Sequence, residues 1–418
     1  MTTNKNHNSP NVPNLRFPEF KGEWEMIKVS DLLDFYSTNS LSWEQLDYNN
    51  GKIKNLHYGL IHKGLPTMVD VAYDSLPYIK EEFMLKSFTL LKEGDVAFAD
   101  ASEDTNDVAK AIEVVNCNNQ QIVSGLHTIH GRDNSNRTVI GYKGYAFASD
   151  SFHKQIRRIA QGTKVFSISV RNFDEVYIGI PSKEEQTKIS KLLTAIDKRI
   201  ATQNKIIEKL QSLIKGLNDH ILKNIEGDQV CFADLGEAYG GLSGKSGDDF
   251  GSGDPFITYM NVYQNTYISE NDYELVQIVP DEKQNSVQYG DALFTLSSET
   301  PEEVGMGAVY LGKSQKLYLN SFCFGVHFHG NRVLPQYIAH FISSTSFRKA
   351  IYPLAQGSTR FNLQKQDFMR MKFVLPSLEE QECIATALDA LHNHLTNEKL
   401  LTEQYLLLKQ YLLQQMFI

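Results

Sequence analysis

The chain has 418 residues, 41% of them hydrophobic and 22% charged, enough to bury the cores of two or three domains. Four scattered cysteines, Cys117, Cys231, Cys323 and Cys383, show no CxxC spacing. That argues against a disulfide framework or a structural zinc and points to a reducing, cytoplasmic setting. The net charge of −9 argues against a simple basic nucleic-acid binder, and no apolar run approaches the ~18 residues of a membrane span.

In chain order, residues 1–13 are polar and rich in Asn and Pro, a flexible tail. A first globular part, 14–180, shows short β-rich runs broken by Gly, Asn and Asp, such as GDVAFAD from Gly94 and YKGYAFAS from Tyr142. A short helix follows (SFHKQIRRIA, from Ser151), then a loop and a strand ending at Pro181. From Ser182 onward Ile189, Leu192, Leu193, Ile196, Ile200, Ile206, Leu210, Leu213 and Ile214 recur at three and four, predicting a long amphipathic helix over 181–225. The second globular part, 226–375, has its own GDALFTL from Gly290, YLNSFCFGVHF from Tyr318 and SFRKAIYPLA from Ser346. A second helix, 376–418, carries Ile384, Leu388, Leu391, Leu395, Leu401, Tyr405, Leu408 and Leu412. Both helices open on Pro-Ser-x-Glu-Glu, with acids in the first turn at the positive end of the helix dipole.

The two halves are copies. PSKEEQTKISKLLTAIDKRI from Pro181 returns as PSLEEQECIATALDALHNHL from Pro376, and AQGTKVFSI from Ala160 returns as AQGSTRFNL from Ala355. The fold expected is α+β: two similar mixed α/β domains, each followed by a long helix, the helices pairing as an antiparallel coiled coil. Residues 181–225 hold nine cations and five acids, so +4; residues 376–418 hold two cations and six acids, so −4. Opposite charge favours pairing, with Ile189, Leu193, Ile196 and Ile200 on the first helix and Ile384, Leu388, Leu391 and Leu395 on the second as the helix-pairing residues.

The twice-written helical motif, together with LRFPEFKGEWE from Leu15, SGLHTI from Ser124 and LLLKQYLLQQMF from Leu406, resembles the specificity subunits of type I restriction–modification systems. The resemblance spans essentially the whole chain. It implies two target-recognition domains, each reading one half of a split site in double-stranded DNA. The helices would set the spacer and dock two modification subunits, and restriction subunits would join that complex. It also implies no catalytic residue and no cofactor in this chain: S-adenosylmethionine belongs on the modification subunit, ATP and magnesium on the restriction subunit. Two other functions compete, a stand-alone DNA-modifying enzyme and a coiled-coil scaffold without a DNA role. The absence of an adenine-methylase tetrapeptide weighs against the enzyme.

Several motifs carry less than they suggest. GLSGKS from Gly241 lacks the first glycine of a phosphate loop, since position 239 is Tyr239. The His327/His329 and His392/His394 pairs read as surface histidines rather than metal ligands. Pro280–Lys283 reads as a turn. Stronger candidates for DNA-backbone contact are Gly162, Thr163 and Lys164 and their counterparts Gly357, Ser358, Thr359 and Arg360. Glycine lets backbone come close, hydroxyls suit phosphate oxygens, and a cation follows in both copies. Arg171, Arg348, Lys245 and Ser246 join this set, Lys245 as a side chain free to meet a phosphate. Base readers are expected in loops: Tyr58, His62 and Lys63 in the first half, and Tyr259, Asn261, Ser298 and Glu299 in the second.

Overall fold

The computed structural model describes residues 2–3, 11–81 and 88–418. Most of the tail expected at 1–13 lies outside them; Asn11 accepts a backbone hydrogen bond from Trp24 (2.8 Å). The chain divides into two compact units, Met1–Thr202 with Leu401–Ile418, and Gln203–Leu400.

The first unit is built on a five-stranded sheet. Its strands are β1 (Asp34–Tyr36), β2 (Met68–Asp70), β3 (Val96–Ala99), β4 (Ala111–Asn116) and β5 (Thr128–Arg132), in the order β1-β5-β3-β4-β2. The second unit repeats this as β6 (Gly236–Gly240), β7 (Ala292–Thr295), β8 (Gly307–Val309) and β9 (Cys323–Phe328), in the order β6-β9-β7-β8. The registers correspond: β5 pairs His130 with Tyr36 and with Ala97, and β9 pairs Gly325 with Tyr239 and with Leu293. Each unit also closes with an antiparallel pair, Glu25–Lys28 on Tyr177–Ile180 and Asp228–Cys231 on Lys372–Leu375. Aromatic rings fill both interiors: Phe98, Phe147, Phe152 and Phe173 in one, Phe232, Phe294, Phe324, Phe347 and Phe368 in the other.

Local sequence fixes the shared joints. Ser149 and Ser344 cap the next helix by accepting from Phe152 and Phe347. The glutamine of each Glu-Glu-Gln motif is completely buried and staples helix to domain. Gln186 accepts from the Val139 amide (2.9 Å) and donates to the Pro181 (2.9 Å) and Arg137 (3.1 Å) carbonyls. Gln381 does the same with Leu334 (2.8 Å), Pro376 (2.9 Å) and Arg332 (2.9 Å). Such bonds explain why this motif recurs: a buried backbone group left unpaired is costly, and one side chain here satisfies three. In the first unit Arg16 adds a buried, two-pronged ion pair to Glu185 (2.7 and 2.8 Å).

The first long helix, α1 (Lys183–Lys223), and the second, α2 (Leu378–Gln415), run antiparallel. Within the first unit Lys409 meets Asp197 (2.7 Å), and Leu412, Met416 and Phe417 share a core with Ile189, Leu193 and Ile196. Within the second unit Leu395 and Leu391 pack on Leu210, Ile214, Ile206 and Ile207. The end of the chain thus belongs to the first unit, where Phe417 packs edge-on against Trp24 (6.4 Å between ring centres). The Lys409–Asp197 pair joins a cation of the acidic helix to an acid of the basic one. Leu213, Leu401 and Leu408, expected on the buried stripes, are exposed. Leucine occupies adjacent positions at 400–401 and 406–408, so the sequence offers two stripes. The partner helix covers the one through Leu395, Thr402 and Leu412.

Candidate nucleic-acid interface

In both units the chain forms a β-hairpin before its last strand. Gln161 and Ser167 exchange backbone hydrogen bonds (3.1 and 2.8 Å), leaving 162–165 as an exposed tip. Ala355–Gln356 pairs with Phe361–Leu363, leaving 357–360. Gly162 and Gly357 sit at φ +140° and +142°. A Cβ at either would fall 1.9 Å from the Val165 carbonyl oxygen or 2.1 Å from that of Arg360, so only glycine closes these hairpins. The tips hold Thr163, Lys164, Ser358, Thr359 and Arg360 in solvent, and Arg171 is exposed on the turn that follows the first hairpin.

Each hairpin lies beside the short strand that follows the Gly-Asp strand: Ser102 faces Phe166, and Ser298 faces Phe361. The same bonds frame both. Ile168 donates to the Asp100 carbonyl (2.8 Å) and Asp100 to that of His127 (3.1 Å); Leu363 donates to Leu296 (2.8 Å) and Leu296 to Phe322 (2.8 Å). A short helix, Tyr58–Lys63 or Tyr259–Gln264, is tied to the same place. His62 Nε2 donates to the Ala101 carbonyl (3.0 Å) and the Tyr259 hydroxyl to the Ser297 carbonyl (2.8 Å). Backbone-contact and base-reading candidates from distant parts of the sequence are therefore brought to one corner of each unit.

Several candidates are occupied by the protein itself. Lys245 is not free: it donates to the Gln277 carbonyl (2.6 Å) and pairs with Glu282 (2.5 Å), and only 8% of its side chain is exposed. Hydrogen bonds from Lys245 and Gln284 hold the Glu282 carboxyl below its ordinary pKa. Ser246 caps its own turn against Asp249, as Ser42 does against Gln45 in the first unit. Asn261 is fully buried and fastens the Ser269 loop through both ends of its amide (2.8 and 3.0 Å). His62 and Tyr259 are tethers, and burial raises the Tyr259 pKa. Ser298 is buried against Glu303 (3.1 Å). Arg348 donates to three carbonyls, of Gly305, Glu302 and Val304. These side chains complete loops whose backbone polar groups need partners, a demand that loop position alone does not reveal. Tyr58 is half-buried; Lys63 and Glu299 face solvent. His327 is likewise no surface histidine, since its Nδ1 meets Asp291 (2.6 Å) and its ring stacks on Tyr239 (4.2 Å). His392 packs on His340 (5.0 Å).

Other residues of this corner went unmarked in the sequence. Trp43, 45% exposed, lies over His57 (4.3 Å), which in turn contacts Tyr58 (4.7 Å). Burial, reinforced by His127, lowers the His57 pKa. His127 stands edge-on to Tyr58 (5.2 Å), with Nδ1 3.2 Å from Asp100. It occupies the left-handed region at φ +53°, a strain of about 1–2 kcal/mol for a residue with a Cβ. The corresponding Phe322 is exposed, and the Arg360 guanidinium sits 5.5 Å above its ring. Tyr263 stacks on Tyr259 (6.0 Å). The motif SGLHTI contained the signal for His127, a non-glycine residue in the turn after a strand. Phe322 had none beyond the repeat alignment. Chemically, each corner offers a cation on a glycine-tipped hairpin, suited to a phosphate, with polar and aromatic side chains behind it.

A duplicated mixed α/β domain, presenting that corner twice and passing each time into a long helix, defines a repeated nucleic-acid-recognition module on paired helices. The family described as the type I restriction modification DNA specificity domain matches residues 21–212 and again 229–404. The chain belongs to this family of DNA-specificity subunits, as the repeated helical motif implied. It is 24% identical over 406 residues, covering 89% of this chain and 88% of the relative, to a Methanocaldococcus jannaschii protein assigned as the type I restriction enzyme MjaX specificity subunit. It is 35% identical over 71 residues, 17% of this chain and 15% of the relative, to the type I restriction enzyme StySPI specificity subunit of Salmonella potsdam. The fold is that of the type I restriction–modification S subunit from M. genitalium (TM-score 0.55, 12% identity, 97% and 99% of the two chains covered). A chain from a structure of type I system assembly and conformational transition is similar too (TM-score 0.58, 13% identity, 93% and 96% covered). No described helix is long and apolar enough to cross a membrane.

Proposed function

We propose that each unit reads one half of a bipartite double-stranded DNA site through its hairpin corner, and that the chain itself is non-catalytic. Lys164 and Arg360 hold phosphates, and the neighbouring turns and helices face base edges. The helix pair sets the distance between half-sites and docks two modification subunits. Those subunits carry S-adenosylmethionine and methylate adenine, and restriction subunits bring ATP and magnesium, all in the cytoplasm. One observation carries this reading: the two corners share a backbone frame bond for bond yet carry different exposed side chains at one equivalent place, His127 in the first and Phe322 in the second. One frame with two sets of side chains suits two different sequences read in the same manner.

The test is methylation mapping of DNA from cells carrying this chain with its modification subunit, repeated after residues 14–150 are replaced by those of a relative. Methylated adenines at one split sequence, with one half altered by the replacement, support the reading. A change in both halves, or methyl transfer by the isolated chain from labelled S-adenosylmethionine, contradicts it.

A further inference from the structure

The geometry points to residues 127 and 322 as specificity-determining positions, with His127 reading an amino-bearing base and Phe322 a thymine methyl. This rests on the proposed DNA reading of the two corners and names the atoms that carry it.

The two residues occupy one place in the frame. Each carbonyl accepts from the first residue after the Gly-Asp strand, Asp100 (3.1 Å) or Leu296 (2.8 Å). That residue in turn accepts from the hairpin strand at Ile168 or Leu363. Position 127/322 is thus held one strand away from the hairpin that carries the phosphate-directed cation. In the second unit the two touch directly, Arg360 lying over the Phe322 ring at 5.5 Å. In the first, His127 abuts Tyr58 at the start of the short helix. A side chain beside a phosphate contact is placed to reach into the adjoining groove.

Both residues are exposed where a purely structural role would bury them, His127 with half of its side chain in solvent (51%) and Phe322 at 54%. His127 also holds a left-handed backbone that glycine would adopt more readily. Its ring is oriented: the Asp100 carboxylate can only accept, so the proton on that side sits on Nδ1. In the neutral form of the ring the lone pair then lies on Nε2, on its other edge. A lone pair in the major groove accepts from the amino group of adenine N6 or cytosine N4, and not from guanine O6 or thymine O4. Phe322 offers no hydrogen bond, and its apolar ring edge suits the thymine methyl. The difference between the halves is one of chemistry at one backbone position.

The experiment uses the full chain in complex with its modification subunit. Methylation rates are measured on a library in which every base pair of both half-sites is varied, for wild type, His127→Gly, His127→Asn and Phe322→Ala. His127→Gly is expected to lose roughly tenfold of its discrimination at a single adenine- or cytosine-bearing position of one half-site, with the other half unchanged. Phe322→Ala does the converse at a thymine. His127→Asn, which tolerates the same backbone, keeps part of the preference. The thermal midpoint of His127→Gly holds or rises, because glycine relieves the strain. A fall in midpoint with base preferences intact would make His127 structural and overturn the proposal. So would uniform weakening across all sequences with a shallower salt slope, the mark of a backbone contact, or a lost preference for guanine at the His127 position. If replacing 14–150 still moves one half-site while these variants change nothing, this inference fails and the bipartite reading stands. If wild type shows no chain-dependent sequence preference, the reading beneath it fails.

Discussion

The two units share a frame but wire their interiors differently. In the first, Glu113 is fully buried on β4, 3.3 Å from Lys143 and accepting from the Gly141 (2.9 Å) and Gly144 (2.8 Å) amides. In the second, the same two places hold Val309 and Ile338, both fully buried. Burial raises the Glu113 pKa against the pull of Lys143 and the two amides. The Gly-Asp turn differs too. Asp95 takes Arg132 in two prongs (2.7 and 2.8 Å) and His130 (2.8 Å), whereas Asp291 takes His327 (2.6 Å) and the Tyr239 hydroxyl (2.6 Å). Where domain meets helix, Tyr145 donates to Asp197 (2.8 Å) in one unit and His340 meets Asp389 (2.7 Å) in the other. Backbone joints survive while buried polar pairs turn over, because a joint must satisfy fixed amides and carbonyls, whereas a polar pair can be replaced by any group that fills the space and leaves nothing unpaired.

The largest effect should come from breaking the Glu113–Lys143 pair, whose places in the second unit are apolar. Glu113→Ala strands Lys143 and two amides and should cost about 3–5 kcal/mol in denaturant unfolding. Converting the pair to its second-unit counterpart, Glu113→Val with Lys143→Ile, should recover most of that loss. A double variant no better than the single one would show that the apolar wiring does not transfer between units.

The glutamine staples should behave alike. Gln186→Ala and Gln381→Ala each leave three buried backbone groups without a partner, a loss of about 2 kcal/mol apiece. Strongly unequal losses would mean that the joint is not the shared element.

Acid should separate the Gly-Asp turns. Burial alone would raise Asp95, but hydrogen bonds from Arg132 and His130 hold it below the ordinary carboxylate value; Asp291 is raised, with burial outweighing Tyr239 and His327. A depressed folded pKa stabilises above the unfolded value, about 3.9, and that support is lost as pH falls through the folded pKa. A raised one stabilises only below the unfolded value and is lost as pH rises through the folded pKa. Protection of the amides over 94–99, corrected for the intrinsic exchange rate at each pH, should therefore fall relative to 290–295 as the pH drops below about 3.9 and through the folded pKa of Asp95, by roughly tenfold for each unit that this pKa lies below the unfolded value. An equal fall in the two turns would contradict this wiring.

The smallest difference is expected at the tips. Lys164→Ala and Arg360→Ala should each weaken DNA binding without altering the preferred site, and each should reduce the salt slope by about one. An unchanged slope with a changed base preference would move that residue into the base-reading set.

Sequence alone determined the duplication, the two long helices, the glutamine positions at their starts and the glycine-tipped loops. Those features are local: an apolar spacing, a capping pattern and a residue without a Cβ need no knowledge of distant partners. Tertiary structure decided three things. It placed Leu412, Met416 and Phe417 in the core of the first unit, because an antiparallel partner brings the end of the chain back to its beginning. It selected one of two leucine stripes on α2, leaving Leu401 and Leu408 in solvent. And it took Lys245, Asn261 and Ser298 out of the recognition set, since loops closing over a core use nearby polar side chains for their own carbonyls and amides. The equivalence of His127 and Phe322 lies in the hydrogen bonds that their carbonyls accept. Which side chain a turn leaves exposed depends on contacts from chain 27 or 26 residues away, at Asp100 and Leu296.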